Sequence, residues 1–264
     1  MTAEEYEKSG IEAARIGGEY LRSQFRKRGL EVEQKGRHDY VTAVDREAER
    51  RIREYLTEHH PDHEIMGEEG SPEKGDGTWR WIVDPLDGTT NFIHGVATFA
   101  VSIGLEGPDG LVAGIVYDPI ADEMFSAHRG GGARLNGRPI EVSRPEAEGN
   151  SLIATGFPFR ELSRLDPYLK VFEALVRSTA GLRRAGSAAI DLAYTAAGRY
   201  DGFWEVGLSR WDVAAGIVLV REAGGLVTDL HGGETMLDSG DVVAASAGLH
   251  SRILVHTREH FSAG

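Results

Sequence analysis

The sequence predicts a mixed protein, α+β in its first half and α/β in its second. Three observations carry this. Two amphipathic helical patterns stand near the start. Several strand-like runs joined by short turns fill residues 98–140. Beyond residue 150, short apolar runs alternate with helical ones. The 264 residues are ample for a buried core, as one large domain or two small ones.

Thr2 and Glu5 have capping-box spacing, and Ala13, Ile16 and Tyr20, with Leu21 and Phe25 beside them, supply an apolar stripe. A first helix is therefore expected from there to near Gly29. A second is expected from near Thr42, with Val44, Ala48, Ile52, Tyr55 and Leu56 on one face and Pro61 closing it. Met66 to Gly77 is turn-rich and acidic and reads as a loop. Trp79 to Val83 reads as a strand that Asp84-Pro85 ends, because proline cannot continue a central ladder. The runs 98–105, 111–117, 123–127 and 133–140, with turns at Gly107-Pro108-Asp109-Gly110, Asp118-Pro119 and Asn136-Gly137, predict an antiparallel meander. Ser143 to Asn150 is polar and is the expected boundary between an N-terminal portion, residues 1–145, and a C-terminal portion, residues 146–264. After it, strands are expected at 152–155, 182–184, 202–206, 226–228 and 242–245. Helices are expected at 167–177, 188–197, 213–223 and 250–260.

Asp plus Glu number 42 and Lys plus Arg 29, a net charge of −13. Such a surface repels phosphate backbones and argues against direct nucleic-acid binding or an anionic membrane partner. There is no cysteine, which excludes disulfides, thiolate metal sites and cysteine nucleophiles. No apolar run approaches the ~20 residues of a membrane span. The acidic N-terminus lacks the features of a signal peptide. A cytoplasmic protein is expected.

The chemistry concentrates in Trp81-Ile82-Val83-Asp84-Pro85-Leu86-Asp87-Gly88-Thr89-Thr90-Asn91-Phe92. An apolar strand delivers Asp84. Pro85 and Gly88 force a tight turn on which Asp84 and Asp87 can converge, and Gly88-Thr89-Thr90 opens a short helix whose backbone N–H groups suit an anion. Two carboxylates beside an anion site make electrostatic sense with a hard cation such as Mg²⁺ between them. Two further acidic features are Gly67-Glu68-Glu69-Gly70 and Asp212 before an apolar helix. Taken singly, each has a plain structural explanation: a capped turn, a solvated acidic loop and a helix N-cap.

Together these segments resemble the inositol monophosphatase family, within the wider group of Mg²⁺-dependent, lithium-sensitive phosphatases. The resemblance rests on Asp39-Tyr40-Val41-Thr42-Ala43-Val44-Asp45, Gly67-Glu68-Glu69, the Asp84–Phe92 segment, Gly186-Ser187-Ala188-Ala189, Trp211-Asp212-Val213-Ala214 and Glu222-Ala223-Gly224-Gly225. It implies the layered α-β-α-β-α sandwich of the sugar phosphatases, with two to three Mg²⁺ per site. It assigns Glu69, Asp84 and the Leu86 carbonyl to a first metal, Asp84, Asp87 and Asp212 to a second, and Glu69 to a weaker third. Asp45 and Thr89 would orient the attacking water, and the N–H groups of Gly88 and Thr89 would bind phosphate. Asp87, the Gly186-Ser187-Ala188 backbone, Glu205 and Asp212 would meet the polyol. The implied partner is a small phosphorylated polyol, and the implied assembly a homodimer.

The expected reaction is hydrolysis of inositol monophosphates to inositol and phosphate by metal-activated water. The alternatives are a fructose-1,6-bisphosphatase, a 3′-phosphoadenosine 5′-phosphate phosphatase or a histidinol-phosphatase. From another class, the alternative is a regulatory protein that binds transcription or RNA-processing machinery. Near the motifs, only Arg183, Arg184 and Arg210 offer themselves to a second phosphate. His59-His60-x-x-His63 reads as a solvated helix end, His94 as a packing residue and Gly130-Gly131-Gly132 as a hairpin or bulge. Asp191, in an otherwise apolar helix, has no explanation in the sequence.

Overall fold

A computed structural model describes residues 1–27, 32–36, 39–70, 75, 77–145 and 148–261. The chain opens with α1 (Ala3–Gln24), β1 (Val32–Gly36), β2 (Asp39–Thr42), α2 (Ala43–His59), β3 (Glu64–Gly67), β4 (Arg80–Asp87) and α3 (Thr89–Ile93). It continues through β5 (Ala100–Gly107), β6 (Gly110–Asp118), β7 (Glu123–His128), β8 (Ala133–Leu135) and β9 (Arg138–Pro139). Then come β10 (Leu152–Thr155), α4 (Leu165–Ser178), β11 (Gly181–Arg183), α5 (Ala188–Ala196) and β12 (Gly202–Glu205). Last are α6 (Arg210–Glu222), β13 (Leu226–Thr228), α7 (Met236–Ser239), β14 (Val242–Ala245) and α8 (Ala247–His260).

These elements stack in five layers. Helices α1 and α2 cover one face of a seven-stranded sheet ordered β3-β4-β5-β6-β7-β8-β9. Helices α5 and α6 fill the space between that sheet and a five-stranded one ordered β11-β10-β12-β14-β13. Helices α4 and α8 cover the far face. Each interlayer space holds its own apolar cluster. Trp81, Ile52 and Leu21 lie in the first, Phe125, Leu192 and Ile217 in the second, and Trp204, Tyr168 and Ile253 in the third. This is the α-β-α-β-α sandwich that the resemblance implies.

The meander is present, with β5 to β9 each antiparallel to its neighbour. Asn136 and Gly137 close its last hairpin with φ of 49° and 76°, the positive angles that a two-residue turn of this hand requires. The Thr2–Glu5 capping box forms at α1, and Thr42 caps α2. Several expectations need correction. Helix α1 ends at Gln24, and Gly29 lies outside the described residues. The meander sheet gains a parallel edge strand, β3, in a segment that overlaps the expected loop. The alternating second half is present as expected, and its sheet is mixed, because β14 runs antiparallel to both β12 and β13. His60 is not solvated. It is buried against Tyr6 and Trp81, and burial lowers its pKa to about 4.

Proline does not end β4. Its pairing with β3 stops at Val83, so Pro85 owes no hydrogen bond on that side. On the other side the register against β5 runs from Asp84↔Ser102 to Asp87↔Ala100, one extra residue on β4. In a regular strand, residues three apart face opposite ways; the extra residue brings Asp84 and Asp87 to the same side.

Helix α6 reaches this sheet over a paired glycine patch. Gly104 and Gly114 sit opposite each other on β5 and β6. A Cβ on Gly114 would lie 2.4 Å from the Ala215 carbonyl oxygen, and one on Gly104 would lie 2.8 Å from the Ala214 Cβ. The Ser102 hydroxyl also donates to the Trp211 carbonyl, at 3.1 Å. The glycines thus fix how deeply α6 sits, and α6 carries Asp212. Gly114→Ala should destabilise the protein by roughly 1–3 kcal/mol through overpacking against backbone that cannot swing aside. Denaturant unfolding measures this, and an unchanged midpoint would show that α6 has slack.

Candidate active site

The bulge at the end of β4 sets Asp84 and Asp87 in the lining of a cleft of about 850 Å³ between the two large sheets. Asp84 is buried, and its Oδ1 accepts the Leu86 N–H at 2.9 Å. Asp87 is held from the other half of the chain. Its Oδ2 accepts the Ser187 hydroxyl and the Ala189 N–H, both at 2.6 Å, at the start of α5. After Asp87 the chain turns through Gly88, whose φ of 102° excludes most side chains and whose Cβ would press on the Thr98 carbonyl. Thr89 then opens α3. Its Oγ1 lies 3.0 Å from Asp45 Oδ1 and 3.1 Å from the Leu86 carbonyl oxygen.

Asp45 and Asp212 occupy equivalent places on two different helices. Asp45 is the third residue of α2, and its Oδ2 accepts the Thr42 N–H at 2.9 Å and the Thr42 hydroxyl. Asp212 is the third residue of α6, and its Oδ2 accepts the Ser209 N–H at 2.7 Å. Ser209 is thus the N-cap, and Asp212 completes a capping box rather than capping the helix itself. Each acid is fixed by a helix start and pointed into the site by it.

Asp84, Asp87 and Asp212 each offer a carboxylate oxygen, all within 4.8 Å of one another. Proximity of like charges in a partly dry cleft has the expected consequence. Burial, and then the charges of Glu68, Asp87 and Asp212, push the Asp84 carboxyl well up. Asp87 is pushed up to about 7 by burial and by Asp212, against the hydrogen bonds from Ser187 and Ala189. Arg160 is the cation near this group, with Nη1 3.9 Å from Asp212 Oδ2 and 3.3 Å from the Ser209 hydroxyl.

The glutamate assignment changes. Glu68 lines the cleft, and its charge acts on Asp84. Glu69 lies to the side, where its N–H donates to Glu49 Oε2 at 2.8 Å and its charge acts on Arg46. The chain bends as it leaves β3 at Gly67, and of the pair only Glu68 is turned to the cleft. Glu69, the glutamate expected at the site, is not part of the cleft lining, and Glu68 is.

The remaining expected residues share the same cleft. Leu86, Gly88, Thr89, Gly186, Ser187, Ala188 and Glu205 line it, with Asp45 bonded behind Thr89. Glu205 ends β12 on the opposite wall. Its carboxyl opens to the cleft but is otherwise enclosed, and burial pushes it up to about 8, against the pull of Arg184. Ser187 does more than the resemblance implies, since its hydroxyl caps α5 and anchors Asp87. His94 is exposed on the cleft rather than packed. The N–H groups of Gly130 and Gly132 grip the Glu222 carboxylate at 2.9 and 3.0 Å, so the triple glycine is a turn filled by the protein itself. Sequence reasoning misses Arg160, which follows Phe157 and Phe159 in a loop without a motif.

With this geometry in place, comparisons with known proteins agree. The model of the inositol monophosphatase family matches residues 2–262. The chain is 49% identical over 256 residues to a Nus factor SuhB of Pseudomonas aeruginosa, covering 95% of this chain and 94% of that protein. It is 47% identical over 240 residues to an inositol-1-monophosphatase of Rhizobium meliloti, covering 90% and 88%. The crystal structure of the extragenic suppressor protein suhB from Bartonella henselae superimposes with a TM-score of 0.93 at 42% identity, over 96% of this chain and 98% of that one. A match along nearly the whole length, on a fold that brings the motif acids into one cleft, makes this chain a member of the inositol monophosphatase family.

Proposed function

We propose that the protein is a Mg²⁺-dependent phosphomonoesterase that hydrolyses inositol monophosphates to inositol and phosphate, with water as the nucleophile. The observation that carries this reading is the convergence of Asp84, Asp87 and Asp212 within 4.8 Å, facing Glu205 across one cleft. The donor set fits Mg²⁺. It consists of carboxylates and the Leu86 carbonyl, hard oxygens without sulfur or imidazole among them. The raised Asp84 and Asp87 carboxyls also mark a cluster that a cation would relieve. Glu68, Asp84, Leu86, Asp87 and Asp212 would hold two to three ions. When bound, the ions neutralise the phosphoryl oxygens, acidify the attacking water and steady the leaving alkoxide.

The protein's own groups do the positioning. With its proton directed to Asp45, the Thr89 hydroxyl keeps lone pairs for the water and aims it along one line. The N–H groups of Gly88 and Thr89 face the phosphate. Ser187 and Ala189 stop Asp87 from turning away as charge builds. Glu205 and the Gly186–Ala188 backbone take the polyol hydroxyls, which need acceptors and donors rather than an aromatic platform. Family membership supports a cytoplasmic homodimer that lithium inhibits. Among the described residues, no helix is long and apolar enough to cross a membrane.

A second reading has its own support. Relatives named Nus factor SuhB match this chain as well as those named inositol-1-monophosphatase. A regulatory role in transcription or RNA processing, through a protein partner, would stand beside catalysis, because the acidic constellation is complete here.

Three outcomes test the main reading. Excess chelator should abolish phosphate release from inositol 1-phosphate and Mg²⁺ should restore it. Mg²⁺ at about 100 times its Kd should also stabilise the fold by roughly 2.7 kcal/mol, read as a rise in Tm. Turnover that persists in chelator would rule out the metal-dependent mechanism.

Glu68→Gln and Thr89→Ala should each cost about 10²–10³-fold in kcat, the usual scale for one electrostatic or positioning group. Glu69→Gln should cost only a few-fold. The opposite ranking of the two glutamates would return the ligand role to Glu69.

The third outcome concerns pH. Because the Glu205 carboxyl is raised to about 8, the folded protein holds a proton that the unfolded chain releases near pH 4–5. This contribution to stability is fully present below the unfolded pKa and is lost as pH rises through 8. Glu205→Gln should flatten that decline in metal-free protein and add roughly 1–2 kcal/mol at pH 8, a value discounted for the opening to the cleft. Parallel pH profiles of the two proteins would place Glu205 in a wetter setting than the structure gives it.

A further inference from the structure

Asp191 is a buried acid of the cleft wall that the proposed reaction leaves unused. It sits in the first turn of α5, among Ala188, Ala189, Ile190, Leu192 and Ala193, and is 1% exposed. Its Oδ1 is buried without a hydrogen-bond partner. Burial and the charges of Glu205 and Asp87 hold its carboxyl well above the usual range, and Arg184 acts in the opposite sense. A buried polar atom without a partner costs stability, and an apolar side chain of the same size would fill the place better. Yet Asp191 lies in the wall of the cleft, which Glu205 and Ser187 also line.

Glu205 defines what this region of the cleft is built for. Its carboxylate lies so close to Gly156 that a Cβ there would come within 1.9 Å of Oε1. The carboxylate is therefore pressed against bare backbone, with its open side toward the same cavity as Asp191. A ring hydroxyl both donates and accepts, and so does a protonated carboxyl. Two neighbouring acids of this kind match two neighbouring hydroxyls, where a single acid secures only one.

We infer that Asp191 is a second specificity residue, which binds a hydroxyl of the polyol beside the one taken by Glu205. The inference rests on the reading of the cleft as a polyol-phosphate site. It deepens that reading by giving the substrate two acid-held hydroxyls.

The test compares wild type, Asp191→Leu and Asp191→Asn, as the Mg²⁺-loaded enzyme, on inositol 1-phosphate and on 4-nitrophenyl phosphate, which has no ring hydroxyls. Asp191→Leu should raise KM for inositol 1-phosphate about 10–100-fold, with kcat much less affected, since the lost group binds ground state and transition state alike. The aryl phosphate should lose at least five times less in kcat/KM. Asp191→Asn, which still donates and accepts, should recover most of the loss. The Tm of Asp191→Leu should match or exceed wild type, which separates recognition from structural support. Equal losses on both substrates, or an unchanged KM for inositol 1-phosphate, would overturn the inference. Should wild type hydrolyse neither ester, the reading of the site fails, and NMR titration with myo-inositol decides about Asp191. Weaker binding to Asp191→Leu than to wild type upholds its role; equal binding, or none to wild type, overturns it.

Discussion

Three carboxylates within 4.8 Å of one another repel, and much of this fold can be understood as what holds them there. Each acid is anchored by a donor that does not depend on a metal. Asp84 uses the Leu86 N–H, Asp87 uses Ser187 and Ala189, and Asp212 uses the Ser209 N–H. The anchors engage one oxygen of each carboxylate. They are short-range and built into helix starts or a tight turn, so rotating an acid out of the site would break a hydrogen bond that the backbone cannot replace. Preorganisation of this kind keeps the negative field in place before a cation arrives.

No single layer provides all the anchors. Asp84 and Asp87 come from a strand of the first sheet, whereas Ser187, Ala189 and Asp212 come from the two helices of the middle layer. The middle helices belong to the second half of the chain but pack on the sheet of the first. The Gly104–Gly114 patch therefore serves the chemistry at one remove. It sets the depth of α6, the depth of α6 sets Asp212, and Asp212 closes the acidic triangle. Asn91 does similar work from the other side, where its Nδ2 donates to the carbonyls of Thr98 and Ala185 at 2.7 and 2.9 Å. It ties the turn after Asp87 to the segment that leads into α5.

Whatever depends on local pattern in this protein is legible in its sequence. The meander, the alternating second half, the caps at Thr2 and Thr42 and the carboxylate motifs all have short-range signals. The sequence misleads where the deciding contact is remote or the signal lies in small residues. The buried seam of α1 includes Gly10, Ala13, Ala14, Gly17 and Gly18, which hydrophobic periodicity underweights, so the apolar pattern gives Ile16 and Tyr20 more of the interface than they have. Pro85 reads as a strand end because a bulge cannot be seen without the partner strand. Glu68 and Glu69 are adjacent acids in one loop, and only the exit direction of β3 tells which faces the cleft. His60 stands at a helix end, where solvent is the ordinary neighbour; the aromatic side chains that bury it come from α1 and β4.

The charge map of the cleft bears on the choice of substrate. Of the arginines that the sequence offers to a second phosphate, Arg210 is engaged elsewhere. Arg210 pairs with Glu106 at 3.1 Å and with Asp238 at 3.7 Å. Arg164, on the cleft wall, makes a bidentate pair with Asp241, with both contacts at 2.6 Å. Arg184 does face the cleft, but it lies over the rings of Phe157 and Phe159 at 5.5 and 5.4 Å, and its charge serves Glu205 and Asp191. Arg160 leans toward Asp212. A second phosphate would have to draw these cations away from acids that need them. A ring of hydroxyls asks for no such exchange, because the acids themselves are the groups that bind it. The balance of charge across the cleft therefore favours one phosphate, at the triad of aspartates, and a neutral polyol beyond it.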